Sequence, residues 1–298
     1  MKLIYAYHIT DVSNLKPILV DGLIPNIGEN SRKVHEHHFL TYFTTFNCIE
    51  TWIKRFNLDK NRIIILKFLC SNYGQRFDSS NDYFTYDSFL PNDIIVIDGK
   101  EKSLIEYYEQ NKQKIELNFE KSIIDDIKSL KERLEQIKNT SLNKEDSWSY
   151  NETEPNIIKT IDLLKKIRYL TDKNKYKELI ESIINESLMK LMNNNLEINE
   201  DSEIYKSLNI IFLDSISDNP QIDITELNYV TQIISVNMYC RQLNRYKRTQ
   251  KKYGSDNTIW DFDALPLEEI QKSLKNDNFI NLLHETTILH EKSKDIKK

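Results

Sequence analysis

The feature that most constrains this chain is a change of pattern near Gly99. Four of its five glycines (Gly22, Gly28, Gly74, Gly99) lie in the first hundred residues. The segments between them are short, apolar and β-branched or aromatic, the composition of strands. From Glu101 onward almost only helical periodicity remains. With 298 residues, the break predicts two domains: an α+β module over 1–100 and an all-α helical bundle over 101–298.

Within the first hundred residues, Leu3–Ile9 reads as a strand. Asp11 or Ser13 caps a short helix whose apolar positions Leu15, Ile18 and Leu19 share a face, and Gly22 stops it. A polar loop over Asn26–His38 leads to the aromatic strand Phe39–Thr45. Asn47 then caps a helix with Cys48, Ile49, Trp52, Ile53 and Phe56 on one side. Arg62–Leu69 is a nearly unbroken apolar run, as expected of a strand covered on both faces. Ser71–Asp87 reads as a polar and aromatic loop, and Asn92–Asp98 as a last short strand.

In the second part, Ile123, Ile127, Leu130, Leu134 and Ile137 alternate spacings of four and three but stop near Asn139. That suits packing within a bundle better than a long coiled coil. Further amphipathic stretches cover about Asn156–Leu170, Lys175–Met192, Ser202–Ile216, Thr225–Arg248 and Leu267–Leu289. Pro155 and Pro266 sit where a first helical turn tolerates proline. Leu142–Glu154 reads as a long surface loop.

Acidic and basic residues balance in the first hundred positions, so the net charge of −5 comes from the remainder. Such a mild excess makes no case for a polyanion partner. Cys48, Cys70 and Cys240 lack metal-site or disulfide spacing and read as reduced, buried thiols. No apolar run approaches the ~18 residues that cross a bilayer, and the N-terminus lacks a signal-peptide core. The expectation is a cytoplasmic protein with no membrane partner.

Three separated segments resemble the ADP-ribosyltransferase superfamily, the NAD-consuming fold of bacterial toxins, poly-ADP-ribose polymerases and tRNA 2′-phosphotransferases. Tyr7-His8-Ile9-Thr10, with its helix and the turn Gly22-Leu23-Ile24-Pro25, is similar to the family's Y-H-x-T segment and G-L-x-P turn. Thr41-Tyr42-Phe43-Thr44-Thr45 resembles its aromatic strand. Tyr86-Asp87-Ser88-Phe89-Leu90-Pro91 resembles the segment carrying the catalytic glutamate four residues before a proline. The resemblance covers about Met1–Asp98 and does not extend into the helical part.

It implies an H-Y-E-like arrangement of toxin or effector type, with NAD as co-substrate. His8 would bond the adenosine ribose, Thr10 would help hold the nicotinamide end, and Tyr42 would stack on the cationic nicotinamide ring. Asp87 would stand in the glutamate's place, one methylene shorter. Its anion would orient a ribose hydroxyl and stabilise an oxocarbenium-like transition state; Asp82 is the fallback carboxylate. The acceptor would be a macromolecule, protein or nucleic acid, recognised or regulated through the helical domain. The alternative is a catalytically degenerate module that binds a nucleotide or a partner protein.

Two other stretches invite chemistry. Val34-His35-Glu36-His37-His38 could be solvated, could bring Arg32, Lys33 or a histidine to NAD, or could offer metal ligands, although no further cluster completes a metal set. Arg241, Arg245, Lys247, Arg248, Lys251 and Lys252, interleaved with Tyr246 and Tyr253, complement a helix C-terminus or contact phosphate.

Overall fold

The structure, a computed structural model, describes residues 3–26, 40–75, 81–140, 153–191, 203–234, 274 and 276–284. These form two compact units, the first running to Ile124 and the second starting at Asp125. The content is mixed α/β, with antiparallel sheets in the first unit and helices in the second.

In the first unit, β1 (Ile4–Asp11) pairs along its whole length with β3 (Ile63–Cys70), from Ile4 opposite Cys70 to Asp11 opposite Ile63. β6 (Ile95–Asp98) adds to β3, and β7 (Lys100–Ser103) adds to β6, giving the order β1-β3-β6-β7. Gly99 turns the β6–β7 hairpin at φ +69°, a conformation that glycine adopts without a Cβ clash. β7 is a strand where only helix was expected. Its sequence Lys-Glu-Lys-Ser is apolar nowhere, but a charged strand suits a sheet edge because it discourages further pairing.

Burial along β3 alternates: Ile64, Leu66, Phe68 and Cys70 are buried, while Leu69 is 49% exposed. The strand is therefore not fully covered on both sides. One face packs with Ala6, Val12, Val96, Leu15 and Ile18 of α1 (Leu15–Asp21), and Leu104, Tyr107, Tyr108 and Ile115 of α3 (Leu104–Thr140). Among the described residues the other packs with Ile49 and Ile53 of α2 (Ile49–Arg55) and Leu58, in a cluster with Tyr7, Ile9, Ile63, Ile65 and Ile97.

Local chemistry sets the helix ends. The Asp11 carboxylate accepts from Ser13 N at 2.9 Å, capping a 3-10 turn at Val12–Asn14 that feeds α1. Gly22 ends α1 with φ +83°, and a Cβ there would lie 2.2 Å from the Phe89 carbonyl oxygen. Only glycine lets Leu23 and Phe89 exchange backbone hydrogen bonds of 2.9 and 3.0 Å. Lys16 of α1 is buried and ion-paired to Glu116, which also accepts from the Tyr108 hydroxyl. Burial and that carboxylate push the Tyr108 phenol up. Asn47 does not cap α2: it lies inside a 3-10 turn, Phe46–Cys48, that precedes the helix.

A second sheet occupies part of the stretch expected to be loop. β2 (Thr41–Phe43), β5 (Tyr83–Thr85) and β4 (Gly74–Gln75) form it in the order β2-β5-β4. Phe43 and Tyr83 stack at 5.7 Å, with the Tyr73 and Phe68 rings edge-on to Phe43. Aromatic burial thus makes strands of segments whose polar flanks look like loop.

In the second unit, α4 (Thr153–Ile167), α5 (Asn174–Leu191), α6 (Glu203–Ile216), α7 (224–234) and α8 (277–284) fall on the expected amphipathic stretches. Ile161, Leu164, Ile180, Ile211, Leu227, Ile233 and Phe279 are fully buried. No helix among the described residues is long and apolar enough to cross a membrane. Of the expected loop Leu142–Glu154, residues 142–152 lie outside the described residues while Thr153 and Glu154 begin α4; the basic stretch from Arg241 to Tyr253, Pro266 and Cys240 also lie outside them.

Candidate functional site

β1 is the seam between the two sheets. Tyr7 and Thr44, one residue past β2, exchange both backbone hydrogen bonds at 3.0 and 2.9 Å. One residue further along β1, half-buried His8 places its Nδ1 2.7 Å from the Tyr42 carbonyl oxygen. A carbonyl can only accept, so Nδ1 carries the hydrogen and donates; in the neutral ring Nε2 keeps its lone pair. Burial holds the His8 pKa below its ordinary value, opposed by the hydrogen bond to Tyr42. At neutral pH the ring is therefore an oriented acceptor, the form that receives a hydroxyl hydrogen bond.

Thr10 follows His8 on the same face, since alternate residues of a strand point the same way. It is buried, and its Oγ1 accepts from Asn14 Nδ2 at 2.9 Å. With a lone pair engaged, the hydroxyl retains its proton to donate. Half-buried Tyr42 lies opposite Phe84 in the register, with its neighbours Thr41 and Phe43 buried.

The carboxylates divide sharply. Buried Asp82 accepts from Trp52 Nε1 and from Arg55 Nη1, both at 2.6 Å. Its oxygens anchor α2 to the segment that leads into β5, a structural use of the fallback carboxylate. Asp87 is half-buried. Its Oδ1 accepts from Asn72 Nδ2 at 3.2 Å, and its own N–H donates to Thr85 Oγ1 at 3.1 Å.

The register shows which residues come together. His8 lies opposite Leu66, whereas Asn72, which holds Asp87, follows the end of β3 where Cys70 lies opposite Ile4. In the second sheet Tyr42 lies opposite Phe84 and Thr41 opposite Thr85, two residues before Asp87. Thr10 lies opposite Ile64. His8 and Tyr42 are thus joined directly, Thr10 shares a strand with His8, and Asp87 follows β5, the partner strand of β2. Arg32, Lys33 and the histidines from His35 to His38 lie outside the described residues.

Sequence reasoning did not single out Asn14, Asn72 or Thr85. Asn14 follows Thr10 by four residues, but the 3-10 turn that brings them together has no distinctive pattern. Asn72 and Thr85 meet only because β4 and β5 fold back. Among the described residues no group of three His, Cys, Asp or Glu could hold a metal ion. The helical unit has an open cavity of about 480 Å³ lined by Gln221, Ile222, Glu226, Asn276, Asp277 and Asn278. There Glu226 Oε1 accepts from Asn276 N at 2.8 Å at the start of α8, a structural use. Compared with known proteins, the chain matches no family model, no curated protein and no solved structure.

Proposed function

We propose that the first unit is an NAD-dependent ADP-ribosyltransferase acting on a macromolecular acceptor. The observation that carries this is the hydrogen bond from His8 Nδ1 to the Tyr42 carbonyl. It couples the two residues assigned to NAD and fixes the imidazole as an acceptor. His8 Nε2 receives a ribose hydroxyl hydrogen bond, the Tyr42 ring stacks on nicotinamide, and Thr10 donates from its hydroxyl. Asp87 accepts from a ribose hydroxyl and stabilises positive charge as it develops on the sugar. The C1″–nitrogen bond breaks with its electron pair leaving on nicotinamide. An acceptor nucleophile then bonds C1″ and loses its proton to water.

Incubation with labelled NAD and cell lysate tests the reading. Label transfer or nicotinamide release supports it, and neither appearing at saturating NAD overturns it. His8→Ala and Asp87→Ala should each lower activity at least tenfold while the chain stays folded.

A second reading, a module that binds a nucleotide or a partner without chemistry, is favoured by aspartate at position 87, one methylene shorter than the glutamate of the resemblance. Calorimetry separates the two: NAD binding without nicotinamide release selects the second.

A further inference from the structure

We propose that Asn72 and Thr85 are positioning residues for the Asp87 carboxylate, an inference that rests on the transferase reading. Thr85 is fully buried at the end of β5. Its hydroxyl donates to the Asn72 carbonyl oxygen at 2.6 Å and accepts from the Asp87 N–H at 3.1 Å. Asn72 Nδ2 then donates to Asp87 Oδ1 at 3.2 Å, closing a ring of three hydrogen bonds through three residues. The Cys70 thiol, its pKa pushed up by burial, also donates to the Asn72 carbonyl, at 3.6 Å.

The ring does two things to Asp87. The bond through Thr85 fixes its backbone, and the amide of Asn72 selects one of two otherwise equivalent oxygens. Oδ2 takes no part in the ring. An aspartate has one rotatable bond fewer than a glutamate, so a clamp of this kind makes its direction definite although its reach is shorter. Orientation matters because misplacement of a reacting group by about 1 Å can cost a hundredfold in rate. Asn72 itself is exposed, so it is dispensable for the core and its amide can be removed without opening a cavity.

The test measures nicotinamide release from NAD, with NAD affinity taken from calorimetry. Asn72→Ala is expected to lower kcat about tenfold while NAD affinity changes less than twofold. Thr85→Val, nearly isosteric but without the hydroxyl, is expected to lower kcat further, and Thr85→Ser to restore it. Thermal melts of each variant identify any loss due to unfolding, and the exposed Asn72 site keeps the test usable if Thr85→Val unfolds. Wild-type kcat in Asn72→Ala, with Asp87→Asn inactive, overturns the positioning role and leaves the transferase reading intact. A wild-type protein that releases no nicotinamide, or an Asp87→Asn variant with full activity, overturns the role together with that use of Asp87.

Discussion

The strand unit and the helical unit hold their polar side chains in different ways. In the first, hydrogen bonds span the sequence: His8 to Tyr42, Trp52 to Asp82, Thr44 to the Asn81 carbonyl and Thr85 to Asn72. In the second, many stay within a turn of helix: Lys165 to Asp162, Lys206 to Glu203, and Thr231 to the carbonyls of Leu227 and Asn228. A helix satisfies its backbone internally, so its side chains meet neighbours three and four residues away. Short strands have no such local partner, and the segments between them need bonds from elsewhere in the chain. The helical unit also has long-range bonds, such as Ser207 to the Asn278 carbonyl; function is proposed in the first unit because its bonds join residues assigned to NAD.

The sharpest way to break this contrast is in the cores, where it should vanish. Leu66→Ala in the sheet and Ile211→Ala in α6 remove fully buried side chains and should each destabilise their unit by about 3 kcal/mol, measured by urea titration. Next, Asp82→Ala leaves the Trp52 N–H buried without its partner and should cost about 2 kcal/mol, with loss of the tryptophan's environment visible in fluorescence. If Asp82→Ala is neutral, the long-range bonds of the first unit do not support it.

His8 adds a pH dependence to the same unit. Its folded-state pKa lies below its ordinary value, so between the two the unfolded chain binds more protons than the folded one. The stability His8 contributes is therefore complete above about pH 6.5, the ordinary histidine value, and declines as pH falls through the folded pKa. Urea midpoints measured from pH 7.5 to pH 5 should fall more in the wild type than in His8→Gln. Equal slopes would show that His8 is not held neutral by its surroundings. The smallest effect belongs to the helical unit's surface: Lys206→Ala removes an exposed pair with Glu203 and should change stability by no more than about 0.5 kcal/mol.

Much of the architecture was legible because it depends on periodicity. The apolar and β-branched composition of β1 and β3 and the three- and four-residue spacings in α4, α5 and α6 are local patterns, and the described elements fall where those patterns lie. β4, β5 and β7 were missed because they are two to four residues long. Their stability comes from partners across the sheet, which no window of sequence contains. Cap chemistry was partly readable: Gly22 has the anticipated role, whereas Asp11 caps the 3-10 turn before α1 and Asn47 lies inside the 3-10 turn before α2, because those turns displace the helix starts.

The candidate site divides along the same line. That His8 and Thr10 share a strand face follows from the chain alone, since the pleat repeats every two residues. The tautomer of His8, the commitment of Asp82 to Trp52 and Arg55, and the three-residue ring around Asp87 exist only once β2, β4 and β5 are in place. Periodicity is a property of neighbours along the chain, and hydrogen-bond partnership across a sheet is a property of register. Only the tertiary structure decides the second.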